Sequence, residues 1–203
     1  MSFGHIPHPN KFKSFIKRII GLSLAIRRLQ MPIVMNLLSL NKNDKVLDAG
    51  CGGAQITYEL SKYCHVVGLN NKIILGSSLK YALSKNNNFE LVESDLGDMP
   101  FKAKTFDKIL LSSVLQMTNG DECLKECHRV LKDKGRLVLS VASEFLFYKS
   151  FRKSKQRIRE IYHISSDGAI EYNLIDLIKI LKKNGFHPLR YTYSPSVLGS
   201  FIN

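Results

Sequence analysis

A glycine-rich segment that carries one carboxylate is the part of this sequence best suited to bind a small molecule. Val46 to Ala54 reads Val-Leu-Asp-Ala-Gly-Cys-Gly-Gly-Ala, and its glycines would let a ligand approach the backbone closely. Asp48 lies within this segment, where burial of a carboxylate is costly without a partner. Asn70 follows 22 residues later at the end of another apolar run, where nucleotide-binding α/β folds place a ribose partner. Together these residues predict a nucleotide-type cofactor site.

Short apolar runs that alternate with helical patterns must position this site. The predicted strands are Lys45 to Ala49, His65 to Leu69, Phe89 to Glu93, Phe106 to Ser112, Arg136 to Val141 and Pro188 to Ser194. The predicted helices are Ile56 to Tyr63, Lys72 to Lys85, Asp121 to Lys132 and Tyr172 to Lys183. This alternation is typical of an α/β Rossmann-like fold, with a mostly parallel twisted sheet and helices on both faces. Little sequence remains for a last strand, and Ser196 to Asn203 would supply a short one at most, leaving a sheet edge open.

The chain is interpreted as one domain over residues 1–203, with four parts. Residues 1–44 form an N-terminal helical cap, 45–142 the cofactor-binding core, 143–171 an inserted lid, and 172–203 a C-terminal helix and strand. In the cap, Phe12, Phe15, Ile16 and Ile19 recur at helical spacing among basic residues. We expect Pro32 to interrupt or restart the next helix, so that residues 33–40 pack on the core as a short apolar turn.

Four stretches of the core resemble, in order, the motifs of class I S-adenosylmethionine-dependent methyltransferases, in the subfamily that modifies small molecules and lipids. Asp48 to Ala54 resembles the first motif, and Glu93 to Phe101 is similar to the segment after the third strand. Thr105 to Ser113 resembles the fourth strand, and Arg129 to Leu137 the approach to the fifth. The resemblance runs from about Lys45 to Ala142.

The resemblance implies S-adenosyl-L-methionine as cofactor, S-adenosyl-L-homocysteine as product, and a set of site residues. The implied cofactor-binding residues are Asp48, Gly50, Cys51, Gly52, Asn70, Asn71, Asp95, Leu96, Ser112 and Gln116. Asp48, Gly50 and Gly52 would hold the methionine moiety, and Asn70 would face the ribose. Asp95 would accept from the adenine amino group with Leu96 beside the ring. Ser112 and Gln116 would border the sulfonium.

Two residues depart from the family pattern. Family members usually carry Asp or Glu where Asn70 stands, and an amide offers fewer acceptors to the ribose hydroxyls than a carboxylate. We expect this change to weaken cofactor binding by about 1–2 kcal/mol, because at least one charge-assisted hydrogen bond becomes weaker. Ala54 replaces the third glycine of the turn, which alters how closely helix and strand can approach.

The positive charge of the chain lies entirely in its flanks. The net charge is +13, and residues 1–45 carry eight basic side chains against one acidic. Residues 46–144 carry twelve of each sign, and residues 145–203 carry ten basic against four acidic. Such flanks could attract an anionic substrate, a membrane surface or nucleic acid, although a bias in nucleotide composition would also produce them.

The favoured function is methyl transfer to a small organic acceptor, including anionic or lipid-like ones. An RNA methyltransferase is an alternative, but the fourth strand ends Leu111-Ser112-Ser113-Val114-Leu115 and lacks the Asn/Asp-Pro-Pro-aromatic motif that clamps a flipped base. A cofactor-binding protein of this fold with a non-methylating role is the other alternative. Partners left open are a membrane surface, contacted by the basic N-terminal helix, and a second copy of the chain.

No catalytic base is assigned from the sequence. If the acceptor is a hydroxyl, the candidate bases are His5, His8, His163, Tyr148 and Tyr162. Cys123, Cys127 and His128 have the spacing of metal ligands on one helix face, but no fourth ligand is evident, so no metal is expected. Four dispersed cysteines and the lack of a secretory signal pattern favour a cytoplasmic protein.

Overall fold

A seven-stranded sheet organises the computed structural model, which describes residues 31–142, 174–193 and 196–202. Its strands are β1 (Lys45–Ala49), β2 (His65–Asn70), β3 (Phe89–Glu93), β4 (Phe106–Ser112), β5 (Leu131–Ala142), β6 (His187–Tyr193) and β7 (Ser196–Ile202). Their order across the sheet is β3-β2-β1-β4-β5-β7-β6, and β7 runs antiparallel to the other six strands. The Rossmann-like, mostly parallel fold is therefore confirmed.

Helices cover both faces of the sheet, as expected. Residues 31–38 form α1, and the later helices are α2 (Gln55–Ser61), α3 (Ser77–Leu83), α4 (Gly120–Val130) and α5 (Leu174–Lys183). One core cluster joins α1 and α2 to alternate strand residues that include Val46, Val66, Leu110 and Val138. The other joins α4 and α5 to the intervening strand residues, such as Leu47 and Ile109. Burial on both faces explains why these strands are nearly continuous apolar runs.

The segment around Pro32 is helical and packs on the core. Val34, Leu37 and Leu38 are buried in the first of these clusters, so the packing predicted for residues 33–40 is confirmed. The predicted turn is wrong, because residues 31–38 are a helix. Arg136 of β5 donates to the Leu37 carbonyl at 2.9 Å and to Ser39 Oγ at 2.7 Å. This cation lies at the carboxyl end of α1, where it complements the helix dipole.

Two other expectations about the elements are wrong. The last strand is as long as β4, because β7 pairs with β5 from Arg136↔Ile202 to Ala142↔Ser196 and also pairs with β6. Phe201 is buried and anchors β7 in the core, so no gap remains beside β5. The helix predicted from Lys72 begins only at Ser77, because the preceding loop is tied to β3 through Ile73.

The proposed cap and lid fall largely outside the described residues. The cap over residues 1–30 and the lid over residues 143–171 lie there, as do the candidate bases His5, His8, His163, Tyr148 and Tyr162. Within the ranges that are described, no helix is long and apolar enough to cross a membrane.

Candidate functional site

The glycine turn after β1 has the left-handed backbone that its composition suggests. Gly50 has φ +81°, Gly52 φ +53°, and the amides of Gly50 and Cys51 both donate to the Leu69 carbonyl, at 2.7 and 3.0 Å. A Cβ on Gly50 would lie 2.4 Å from a γ-carbon of Val114, whereas a Cβ on Gly52 would meet nothing within 4 Å. Gly50 is therefore required by packing, and Gly52 leaves open space where a ligand could approach the backbone.

Ala54 occupies a backbone conformation in which glycine would be unstrained. Its φ is +59° at the residue before α2, and its side chain is completely buried. A left-handed conformation costs a non-glycine residue about 1–2 kcal/mol. The replacement of the third glycine thus affects backbone strain, in addition to the helix–strand approach that the sequence suggested.

Asp48 is buried in the sheet with its carboxylate held by α2. Its side chain is 1% exposed, and Oδ2 accepts a hydrogen bond from Thr57 Oγ1 at 2.7 Å. Gly68 is the residue paired with Asp48 on β2, and a Cβ there would lie 3.0 Å from Thr57 Oγ1. The absence of a side chain at Gly68 therefore makes room for the threonine that orients Asp48.

The Cys51 thiol reflects the burial and charge of this turn. Cys51 is 6% exposed, and burial, together with the negative charge of Asp48, raises its pKa to about 12. The thiol is consequently protonated at neutral pH, which makes it a poor nucleophile. Cys51 can contribute backbone and packing to the turn, but the structure gives it no activated sulfur.

Asn70 lies at the end of β2 with its amide nitrogen already used. Nδ2 donates to the Lys72 carbonyl at 2.6 Å and to Asn71 Oδ1 at 3.2 Å. The side-chain oxygen is the atom left to accept from a ribose hydroxyl. Glu93, the partner of Asn70 on β3, accepts from the Ile73 amide at 2.9 Å and holds the loop that follows β2.

Asp95 begins a loop that is firmly attached to α4. Its Oδ1 accepts from the Gly97 amide at 2.7 Å, while Leu96 is buried in the core. Further along, Arg129 donates to the Met99 and Phe101 carbonyls at 2.9 and 2.7 Å. These bonds fix the backbone that carries Asp95 and Leu96.

Glu126 holds Arg129 in position and also binds the same loop. Glu126 accepts from Arg129 Nε at 2.6 Å and from the Met99 amide at 2.7 Å. The hydrogen bond from Arg129 is the main reason that the pKa of Glu126 lies below its ordinary value of 4.5. Glu126 therefore binds the backbone amide of Met99, and Arg129 binds its carbonyl.

Ser112 and its neighbours close the other side of the site. Ser112 Oγ lies 3.5 Å from Oγ of Ser140, its buried partner on β5, and the Ser113 amide donates to the Ser140 carbonyl at 2.9 Å. Ser113 itself has φ +58°, so the chain turns sharply where β4 ends. Gln116 follows in the 3₁₀ turn Leu115–Met117, and its Oε1 is buried without a hydrogen-bond partner among the described residues.

These polar residues share one face of the sheet at its carboxyl edge. Asp48 pairs with Gly68 and Leu110, Asn70 pairs with Glu93, and Ser112 pairs with Ser140. Because paired residues of parallel strands lie on the same face, as do residues two apart on one strand, the polar side chains form a row on one face across β3, β2, β4 and β5, with Asp48 of β1 set two residues back from the edge. Ligands of open α/β sheets bind outside the carboxyl ends of the strands, where this row lies.

All ten residues implied by the resemblance lie at or directly after the carboxyl ends of β1 to β4, and the structure brings them to one edge. Sequence reasoning missed five supporting residues, which are Thr57, Glu93, Glu126, Arg129 and Ser140. A detectable signal existed for Ser140, because it interrupts the apolar run Leu137 to Val141. The others act through contacts that only the folded chain creates.

The donor set fits S-adenosylmethionine. A buried carboxylate at Asp48 suits the cationic ammonium and sulfonium groups, and the open backbone at Gly52 admits the methionine chain. The unpartnered Oε1 of Gln116 is the kind of buried polar atom that a ligand would satisfy, since buried polar groups are nearly always hydrogen-bonded.

A surface cavity of about 700 Å³ lies elsewhere, at the amino-terminal ends of β1 and β2. Its lining includes Asn36, Ser39, Asn41, Lys42, Lys62 and Tyr63. It is at the opposite end of the strands from Asp48 and contains none of the ten site residues. We therefore do not assign it to the cofactor.

The cysteine–histidine cluster on α4 is packed within the core. Cys123 and Cys127 are both buried, and the His128 ring packs edge-on against Phe186 at a centroid distance of 5.6 Å. No group of three potential metal-ligating side chains occurs among the residues that the structure describes. All four cysteines are free thiols.

The comparisons with known proteins agree with this geometry. Residues 47–139 match the family model described as a methyltransferase domain. The chain is 30% identical over 182 residues to protein MJ1252 of Methanocaldococcus jannaschii, an alignment that covers 79% of this chain and 68% of that protein. It is also 30% identical over 137 residues to the ubiquinone/menaquinone biosynthesis C-methyltransferase UbiE of Cronobacter sakazakii, covering 62% of this chain. The chain thus spans about half (53%) of the UbiE length.

Among solved structures, the fold matches an S-adenosylmethionine-dependent methyltransferase from Methanosarcina mazei with a TM-score of 0.65. Sequence identity is 21%, and the superposition covers 84% of this chain and 95% of the other. At 21% identity, the similarity between the two proteins shows a shared fold and nothing further.

Proposed function

Because this chain belongs to the class I S-adenosylmethionine-dependent methyltransferases, we propose that it methylates a small organic acceptor of anionic or lipid-like character. The observation that carries the proposal is the polar row at the carboxyl edge of the sheet, together with the buried Asp48 of β1 and the open backbone at Gly52 in the turn that follows. Cofactor binding by the ten residues named above is part of the same proposal.

The residues of this site act by binding and orientation. When bound, S-adenosylmethionine supplies an electrophilic methyl group whose carbon–sulfur bond breaks as the acceptor atom bonds to the methyl carbon. Asp48, fixed by Thr57, offers negative charge to the cationic end of the cofactor. Asn70 would face the ribose, and the Asp95 loop, which Arg129 fixes through the Met99 carbonyl, would face the adenine. In such a displacement, correct orientation in a dry site supplies much of the rate.

Two features support the class of acceptor. The positive charge of the chain lies in residues 1–45 and 145–203, so an anionic acceptor would be attracted to the flanks of a neutral core. UbiE, one of the relatives, is by its name a C-methyltransferase of ubiquinone and menaquinone biosynthesis. Contact of the basic N-terminal segment with a membrane surface would fit an acceptor that partitions into lipid.

Transfer of labelled methyl groups tests the proposal. The purified chain is incubated with methyl-labelled S-adenosylmethionine and, separately, with a hydrophobic hydroquinone, a fatty acid, a neutral sugar and a structured RNA. We expect label in the hydroquinone or the fatty acid, and loss of that label in Asp48→Asn. Label only in RNA would contradict the acceptor class, and cofactor binding without transfer to any acceptor would favour a non-methylating role.

A further inference from the structure

The ribose side of the proposed site lacks a carboxylate at the position where the fold usually supplies one. A ribose presents two neighbouring hydroxyl donors, and an acidic residue after β2 is the usual acceptor in dinucleotide-binding folds. Asn70 stands at this position, and its amide nitrogen is committed to the Lys72 carbonyl and Asn71 Oδ1. One neutral oxygen therefore remains at position 70 for two hydroxyl groups.

Glu93 places a carboxylate beside Asn70, where a second hydrogen-bond acceptor is missing. It is the register partner of Asn70 in the parallel β2–β3 pair, and the next amide, that of Ser94, donates to the Asn70 carbonyl at 3.1 Å. Neighbouring strands lie about 4.8 Å apart, and paired residues share a face of the sheet. The side chains of Asn70 and Glu93 consequently leave the sheet side by side at its carboxyl edge.

The Glu93 carboxylate is also held in place and accessible. Its Oε1 accepts from the Ile73 amide at 2.9 Å, which sets it against the loop directly after Asn70. Glu93 is solvent-exposed, so a ligand can reach its second oxygen. No salt bridge to a cation is found for Glu93 among the described residues, so its charge is available to a ligand.

We propose that Glu93 supplies the acidic group of the ribose subsite, so that two strands share the role usually filled by one carboxylate after β2. The inference rests on the proposed function, because it requires an adenosine-containing cofactor at this edge. The competing explanation is that Glu93 only shapes the loop through Ile73. Glu93→Gln separates the two, because glutamine retains an oxygen for the Ile73 amide while it loses the charge.

The test is calorimetric titration of the full chain with S-adenosylhomocysteine. We expect Glu93→Gln to bind about 3- to 10-fold more weakly, in the range of a partly exposed charge-assisted hydrogen bond. Glu90→Gln is the matched control, since Glu90 is exposed on the same strand but pairs with Val67 and contacts His65 at 3.4 Å. This variant should bind as the wild type does.

A second readout ties the effect to the ribose. Adenosine and 2′,3′-dideoxyadenosine are compared as competitors of S-adenosylhomocysteine, and the ratio of their affinities should be smaller in Glu93→Gln than in the wild type. If Glu93→Gln leaves both this ratio and the affinity for S-adenosylhomocysteine unchanged, the proposed role of Glu93 is wrong, while the proposed function stands. If the folded wild type binds no S-adenosylhomocysteine, the proposed function fails, and this inference fails with it. If the wild type binds and Glu93→Gln binds equally well, only this inference fails. The two failures are therefore distinguishable.

Discussion

The hydrogen bond between Thr57 and Asp48 should be one of the most consequential in the structure. Thr57 Oγ1 donates to Asp48 Oδ2 at 2.7 Å, and both side chains are at most 1% exposed. Thr57→Val keeps the shape of the side chain but removes the donor. A hydrogen bond to a charged group is worth about 1.5–3 kcal/mol, and the buried carboxylate cannot recover this by hydration. Thr57→Val should therefore lower the free energy of unfolding by about that amount.

Thr57→Ser is the matched control, because it keeps the hydroxyl and loses one buried methyl group. That loss should cost about 0.8 kcal/mol. Urea unfolding followed by circular dichroism would rank the proteins as wild type, Thr57→Ser and Thr57→Val in decreasing stability. The reasoning would be refuted if Thr57→Val were at least as stable as Thr57→Ser with the same urea dependence.

Three further predictions concern the turn and the loop beside it. Gly50→Ala should lower the free energy of unfolding by about 2–5 kcal/mol, because the left-handed backbone is strained for alanine and its Cβ would overpack against Val114. Gly52→Ala should cost only about 1–2 kcal/mol because its Cβ meets no atom within 4 Å; equal costs would contradict this. At pH 8 Cys51 should alkylate about a thousandfold more slowly in the folded than in the unfolded protein, as mass spectrometry can measure, because its pKa is raised to about 12. Arg129 lowers the pKa of Glu126, so the stability this pair contributes is complete above pH 4.5 and is lost as pH falls through the lowered pKa. Glu126→Gln should accordingly show a smaller fall in unfolding free energy below pH 4.5, and an identical pH profile would argue against the pair.

The elements that depend on neighbouring residues in the chain are the ones that the sequence predicts best. The turn from Asp48 to Ala54 and the apolar runs of β1 to β4 were recognisable because strand periodicity and glycine content are properties of short segments. Strand bounds for β1, β3 and β4 agree with the prediction, and Asn70 stands at the strand end where it was expected. These elements are determined by neighbouring residues, so their sequence pattern is sufficient.

Features that depend on distant pairing were not predictable in the same way. Ser140 meets Ser112 only once β4 and β5 are in register, and Glu93 meets Ile73 only once β3 lies beside β2. The latter bond also explains the late start of α3. The strand β7 has a weak apolar pattern because Gly199 interrupts it, and Phe201 gains its burial from packing across the sheet.

Binding of S-adenosylhomocysteine to the wild type and to Asp48→Asn tests the central claim most directly. Asparagine retains the volume of aspartate and an acceptor for Thr57, so the variant should fold, as circular dichroism can verify. The account predicts calorimetric binding to the wild type and an affinity at least about tenfold lower for the variant, corresponding to one charged hydrogen bond. Absence of binding to the folded wild-type protein, or equal affinity of the two proteins, would contradict it.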